Sequence, residues 1–425
     1  MPLKQPNILR VARRYSEAIA ASMDRSLIVD VKHKTWPGPG QIPAFPSAFH
    51  AGRATHQINM PSVLLMIGYL TTPTSSTGVS LSEFWAWVRY LAAVAGDPDL
   101  RLTRSFADLD AHQKTILSDD FGMGVPMVWL SQRLPLSRIV DGRYFMNRIA
   151  ASVGASQRRT AKRGPNKSPD FVAQDTSGVW HIVECKGTQS GTQYSKDQLG
   201  LAGPPPTGGI AQKRSIEFPP GHTGQRLVSG LSIGVEDGDR SRLTIIDPEP
   251  DDPFRLDEAQ IYLAEDAAAR GVVSKALRLS GFETTAEATA APLGMYPWTM
   301  RSRMRRQEEA RSDYVDMRNA RAQEELERAE RPGMFSENGY RGREQHITLP
   351  RPVMLDDSEV TRVVLRQGIN EDILAQLREN PTSPDPDFGS FAASAGTETR
   401  STAKGDARSA SLRIGDLFRS EIFLD

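Results

Sequence analysis

Three residues within SPDFVAQDTSGVWHIVECKGTQSG (168–191) have types and spacing suited to chemistry: Asp170, Glu184 and Lys186. DFVAQ and VWHIVECK read as two strands, and DTSG (175–178) between them has the residues of a tight turn. Side chains alternate along a strand. Trp180, Ile182, Glu184 and Lys186 therefore share one face, and Val179, His181, Val183 and Cys185 the other. Closing the hairpin at 175–178 sets Asp170 beside 184–186, so two carboxylates and an ammonium converge where the strands open. HIVEC is almost continuously apolar, like a strand buried on both faces. Burying charges there costs several kcal/mol unless they are paired or metal-bound. A divalent cation resolves the conflict. Asp170, Glu184 and the main-chain carbonyl of Cys185 are hard oxygen donors that suit Mg²⁺ or Mn²⁺. Lys186 is placed to stabilise an attacking hydroxide or a developing phosphorane charge. The Cys185 thiol points to the opposite face and takes no part. The competing reading is a hairpin whose charged end is solvated.

Pro169–Asp170, a thirteen-residue spacer, Glu184–Cys185–Lys186 and the following Gly187–Thr188 resemble the signature of the PD-(D/E)XK nuclease superfamily. The resemblance implies an α/β (mixed α+β) fold with a central restriction-endonuclease-like αβββαβ core. It implies Mg²⁺-dependent hydrolysis of DNA phosphodiesters, with Asp170 and Glu184 as ligands and Lys186 as charge stabiliser. It also implies a Gln on the helix after the lysine strand, supplied by Gln198 or Gln212. Gln212 is preferred because QK precedes a strand-like segment. An acid on the first core helix is a further family feature, and Asp141 is the upstream candidate. PDF recurs at Pro386–Asp387–Phe388 with no E-x-K and no apolar strand after it, so the paired strands carry the signal, not the tripeptide. Family members joined to unassigned helical regions resemble prokaryotic restriction or anti-phage endonucleases. A DNA-repair nuclease and a non-catalytic nucleic-acid-binding or scaffold subunit are the alternatives.

The segment 155–168 carries Arg158, Arg159, Lys162, Arg163 and Lys167 with no acid, directly before Asp170. A charge run is commonly a solvated loop, but beside a hydrolytic site it is placed to hold a DNA backbone. Lys213 and Arg214 extend that basic rim. Overall, 52 Lys and Arg balance 52 Asp and Glu, so attraction to nucleic acid must come from such local clusters. One cysteine excludes an internal disulfide, and seven scattered His residues without an HxxH or HxxxH pair argue against zinc. No run reaches the roughly 18 apolar residues of a membrane span. With no signal-peptide core, a cytoplasmic protein that does not enter the membrane is expected.

The elements that must position these residues divide the chain into five parts. Residues 1–135 read as a mostly helical domain for recognition or regulation, and 136–250 as the nuclease core. Residues 251–379 read as a charged helical region, 380–411 as a disordered linker and 412–425 as an apolar tail that docks on this chain or on a partner. Within 299–333 a long charged helix is expected, able to dimerise or to bind a partner protein. DFG (120–122) lacks the accompanying kinase and Walker motifs. It reads as a glycine-containing turn entering an amphipathic segment over 125–134.

Overall fold

Seven strands drawn from both ends of the first 250 residues form one mixed sheet in the computed structural model. It describes residues 23–74, 90, 93–152, 168–200, 216–247, 254–290, 305–328, 333–355, 358–379 and 399–425. Gln212, Lys213, Arg214 and the basic residues Arg158, Arg159, Lys162, Arg163 and Lys167 lie outside the described residues.

In chain order the elements begin with β1 (Asp24–Val31), β2 (Gly52–Asn59), α1 (Met60–Thr71) and α2 (Ala111–Ser131). They continue with β3 (Leu136–Asp141), α3 (Gly142–Ser152), β4 (Phe171–Asp175) and β5 (Trp180–Thr188). Then come α4 (Gly191–Leu199), β6 (Thr223–Ser232) and β7 (Arg242–Ile246). The sheet order is β2-β1-β7-β6-β5-β4-β3. Strands β3, β4 and β5 form an antiparallel meander. The chain then crosses through α4 so that β6 lies parallel to β5. This crossover puts α4 over the sheet, because parallel neighbours need a long connection.

The expectation of a helical domain over 1–135 is corrected here. Ile28–Val31 of β1 pair in parallel with Arg242–Ile245 of β7, and β2 pairs antiparallel with β1. The N-terminal segment thus extends the same sheet as 136–250. Its β-branched residues had no neighbour in sequence to announce the pairing. DFG also behaves differently from the expected turn, for α2 runs through it without a break despite Gly122, Gly124 and Pro126. Asp110 starts this helix by accepting a hydrogen bond from the Gln113 N–H at 3.0 Å.

The second half contains α5 (Ile261–Leu279), α6 (Glu283–Ala290) and α7 (Arg305–Glu327). After them come β8 (Met334–Glu337), β9 (Tyr340–Leu355), β10 (Ser358–Asn370) and α8 (Glu371–Glu379). The chain closes with β11 (Thr402–Gly405), β12 (Ser409–Ile414) and β13 (Phe418–Leu424). These six strands form an antiparallel sheet in the order β8-β9-β10-β13-β12-β11. The charged helix expected within 299–333 is α7. The remainder departs from expectation: 251–379 holds the long β9–β10 hairpin, and the segment assigned to a disordered linker contains β11. The apolar tail docks on this chain, as β13 inserted between β10 and β12.

The helix α1, MPSVLLMIGYLT, explains why the tail is apolar. Met60 to Leu70 are all buried, so this helix lacks a polar face and needs cover on every side. Asn59 caps it, accepting from the Ser62 N–H at 3.0 Å. On one side α2 approaches so closely that a Cβ added to Gly124 would lie 2.4 Å from Ile67 Cγ1. On another side it packs against β11, β12 and β13, with the Tyr69 ring 5.8 Å from that of Phe418. Deleting Phe418–Asp425 is therefore expected to abolish cooperative folding, since it removes an interior strand and uncovers α1. Loss of a sigmoidal melt by circular dichroism checks this, and a truncated chain melting like the intact one would overturn it. Among the described residues, no helix is long and apolar enough to cross a membrane.

Candidate active site

The β4–β5 hairpin forms in the register its sequence dictates, with Phe171 opposite Val183 and Gln174 opposite Trp180. Asp175 builds the turn. Its Oδ1 accepts from the N–H groups of Ser177 at 2.8 Å and Val179 at 3.0 Å. Gly178 adopts φ +79°, a conformation that favours glycine. Strand pairing stops at Phe171, and one residue earlier the chain is held by side chains instead. Asp170 Oδ2 accepts from the Cys185 N–H at 2.8 Å, and Glu184 Oε2 accepts from the Asp170 N–H at 3.2 Å. Each carboxylate thus grips the backbone of the other's strand across the opening.

Lys186 Nζ lies 2.5 Å from Glu184 Oε1, with the Lys186 side chain 22% exposed and that of Glu184 0% exposed. The N–H and C=O of a strand residue leave by the same edge, so the Cys185 carbonyl faces the gap into which its N–H donates. Glu184 presents its own carbonyl to the other neighbour, accepting from Ser229 Oγ on β6 at 3.2 Å. Asp170, Glu184, Lys186 and the Cys185 carbonyl therefore meet at the split between β4 and β5. The Cys185 thiol is buried on the opposite face, and burial pushes its pKa up, which keeps it protonated and inert.

Crowding leaves the carboxylates poorly accommodated as anions. Burial, reinforced by the neighbouring Asp170 carboxylate, pushes the Glu184 pKa up to about 8 even though Lys186 opposes the shift. Burial also raises Asp170, against the pull of Lys186 and the Cys185 N–H. For Lys186, burial works against the charged form, but the Glu184 and Asp170 carboxylates outweigh it and raise its pKa.

A third acid reaches the site from α2 and was absent from the sequence expectation. Asp119 is exposed at the mouth, its pKa raised by partial burial while Lys186 pulls the other way. Two glycines bring it there. A Cβ on Gly187 would lie 1.7 Å from the Ser118 carbonyl oxygen, and one on Gly122 would lie 2.6 Å from the Gly187 nitrogen. Helix and strand therefore touch backbone to backbone immediately after Lys186. Gln189 pins the same contact, donating from Nε2 to Ser118 Oγ at 3.1 Å. The neighbouring Asp120 is occupied elsewhere, accepting from the Tyr90 hydroxyl at 2.5 Å. The available signal was DD followed by G-x-G, whose glycines are packing surfaces between helices and strands.

Asp141, the upstream acid expected from the family resemblance, is engaged outside this site. Its Oδ1 lies 2.5 Å from Lys275 Nζ of α5, and its Oδ2 accepts from Thr74 Oγ1 at 2.5 Å. Of the two candidate glutamines, Gln198 is on α4. Ser195, Gln198 and Leu199 share one face of that helix by spacing. Ser195 and Leu199 lie against Gly230 of β6, which pairs with Lys186. The helix thus covers the sheet face that carries Glu184 and Lys186, and Gln198 Oε1 is buried with no hydrogen-bond partner among the described residues.

Among the described residues, no three His, Cys, Asp or Glu side chains are gathered as a ready cation cage. The oxygen set at the split is two carboxylates and one main-chain carbonyl, with Asp119 at its edge. Comparison with protein-family models, curated proteins and solved structures finds no match in any of the three.

Proposed function

We propose that the chain is a metal-dependent nuclease that hydrolyses DNA phosphodiester bonds at the split between β4 and β5. One observation carries this reading: Asp170, Glu184 and Lys186 converge on a buried strand end where burial raises the pKa of both carboxylates, that of Glu184 to about 8. A site that destabilises its own anions is matched to a cation, and perturbed pairs of this kind concentrate at functional centres. The element order α2, β3, β4, β5, α4, β6 supports it too, since it follows the αβββαβ order with α3 inserted.

The donor set fits Mg²⁺ or Mn²⁺: hard oxygens only, few enough to leave positions for water and phosphate oxygens. Asp170, Glu184 and the Cys185 carbonyl would hold the ion, which supplies Lewis acidity toward the phosphate and lowers the pKa of a bound water. Asp119 adds negative charge at the mouth, and the Gly122–Gly187 contact fixes its distance from Lys186. Lys186, clamped by Glu184 and partly exposed, presents a cation to the negative charge that builds on the phosphoryl group. Gln198 offers an amide from the opposite side. An endonuclease of a prokaryotic restriction or anti-phage system is the favoured setting, with the basic run at 158–167 holding the strand.

Plasmid and linear DNA incubated with Mg²⁺, Mn²⁺ or EDTA test the proposal. Cleavage is expected with either ion and not with EDTA. Asp170→Ala and Lys186→Ala should each lower the rate by about 10²–10³. Unchanged cleavage by both variants would overturn the site.

A further inference from the structure

The far end of α2 holds a second cluster whose chemistry is the inverse of the carboxylate site. The Arg133 guanidinium lies over the Trp129 indole, 4.2 Å from its centroid. Its Nη1 donates to the Trp129 carbonyl at 3.0 Å, and its Nη2 lies 2.8 Å from His56 Nδ1 on β2. Since the guanidinium can only donate, His56 Nδ1 accepts, and the imidazole proton sits on Nε2. Burial, then Arg133 and His50, lower the His56 pKa, which keeps the ring in this neutral form. Among the described residues no carboxylate partners Arg133, and burial lowers its pKa to about 10.

Cations at a helix C-terminus commonly do no more than satisfy its last carbonyls. Arg400 does that here, bonding Ser131 O through Nε at 3.0 Å and Nη2 at 2.5 Å. Two features go further. Trp129 is 2% exposed, yet among the described residues its Nε1–H has no acceptor. An unsatisfied buried donor of this kind costs roughly 1–3 kcal/mol. In addition, Arg133 is held rigidly by stacking, with an imidazole rather than an acid at its fork. Among the described residues, Arg133, His56, His50 and Trp129 together offer N–H donors and the Arg133 cation without an anionic acceptor.

We infer that Trp129, Arg133 and His56, with His50 at the rim, form a binding site for a phosphate-type oxyanion. It is separate from the carboxylate site: Asp119 and the helix end at Ser131 are about 18 Å apart along the axis at 1.5 Å per residue. The guanidinium fork supplies paired N–H donors in the geometry that phosphate oxygens accept. The inference does not depend on nuclease activity, because the cluster is complete without Asp170, Glu184 or Lys186.

Isothermal titration of the intact protein with sodium pyrophosphate, at low salt and with EDTA present, tests the site. The wild type should bind one pyrophosphate per chain, and Arg133→Gln should bind about tenfold or more weakly. His56→Phe, which keeps the ring volume, should show a loss in the same direction and carries the test if Arg133→Gln fails to fold. A parallel titration with a short oligonucleotide identifies the source of the phosphate. Affinity that falls in Arg133→Gln assigns the site to a nucleic-acid strand, and affinity that is unchanged assigns it to a free oxyanion. No binding of pyrophosphate by the wild type, or equal binding by the wild type and both variants, would overturn the inference.

Discussion

Glu184→Gln is expected to raise stability at pH 8 while removing the response to Mg²⁺ or Mn²⁺. The sign follows from proton linkage. In the unfolded chain the carboxyl titrates near 4.5, and in the folded protein it is held up to about 8, first by burial and then by Asp170. Between those values the unfolded state releases a proton that the folded state keeps, so stability falls as pH rises. The penalty is absent below about pH 4.5 and complete above about pH 8. Because the Glu184 side chain is 0% exposed, solvent does little to screen it. A penalty on the order of a few kcal/mol follows.

Glutamine has nearly the same shape and no charge, so it escapes this cost, and a melting point higher by about 5 °C at pH 8 is expected. Near pH 4.5 the two proteins should melt together. Added Mn²⁺ should raise the melting point of the wild type and leave that of Glu184→Gln unchanged. Thermal melts across this pH range, with and without Mn²⁺, make the measurement. If Glu184→Gln melts lower at pH 8, the Glu184–Lys186 pair is a net structural contributor and the functional reading of this buried acid fails. Such a trade of stability for function is common at active sites.

Gly187→Ala is expected to cost several kcal/mol and to disable the site even in molecules that fold. The new Cβ would lie 1.7 Å from the Ser118 carbonyl oxygen, and that neighbour is helix backbone with no rotamer to change. Relief requires α2 to move off β5, which breaks packing along a long buried interface. Gly122→Ala would meet the same wall from the helix side, 2.6 Å from the Gly187 nitrogen. Any outward shift carries Asp119 away from Lys186 and Asp170, so the proposed nuclease activity should fall more steeply than the folded fraction. Chemical denaturation beside DNA cleavage separates the two effects. A Gly187→Ala protein with wild-type stability would show that α2 and β5 do not make this contact.

The hairpin was legible because everything that defines it is local. A turn of Asp, Thr, Ser and Gly and a period of two place Asp170, Glu184 and Lys186 within sixteen positions of one another, and pairing adds only register. The same locality made α7 readable. The acid on α2 was not readable, because Asp119 sits 51 residues before Asp170 and its approach depends on two glycines that sequence statistics treat as turn formers. Asp141 shows the converse. It had the right type and a plausible position, but α5 places Lys275 beside it from 134 residues away.

Strand partners with large sequence separation follow the same rule. Nothing near Ile28 points to Arg242, and nothing near Val363 points to Leu424, yet these pairs join interior strands of the two sheets. The sequence by itself determined a buried strand that ends in two charges opposite an acid, together with an all-apolar helix and an apolar tail without evident partners. Only the tertiary structure decided which helix closes over that strand, which acid joins it, and that the tail covers the helix. Turn chemistry and side-chain alternation act over a few residues, whereas backbone-to-backbone contact and strand pairing become visible only once distant segments share the same space.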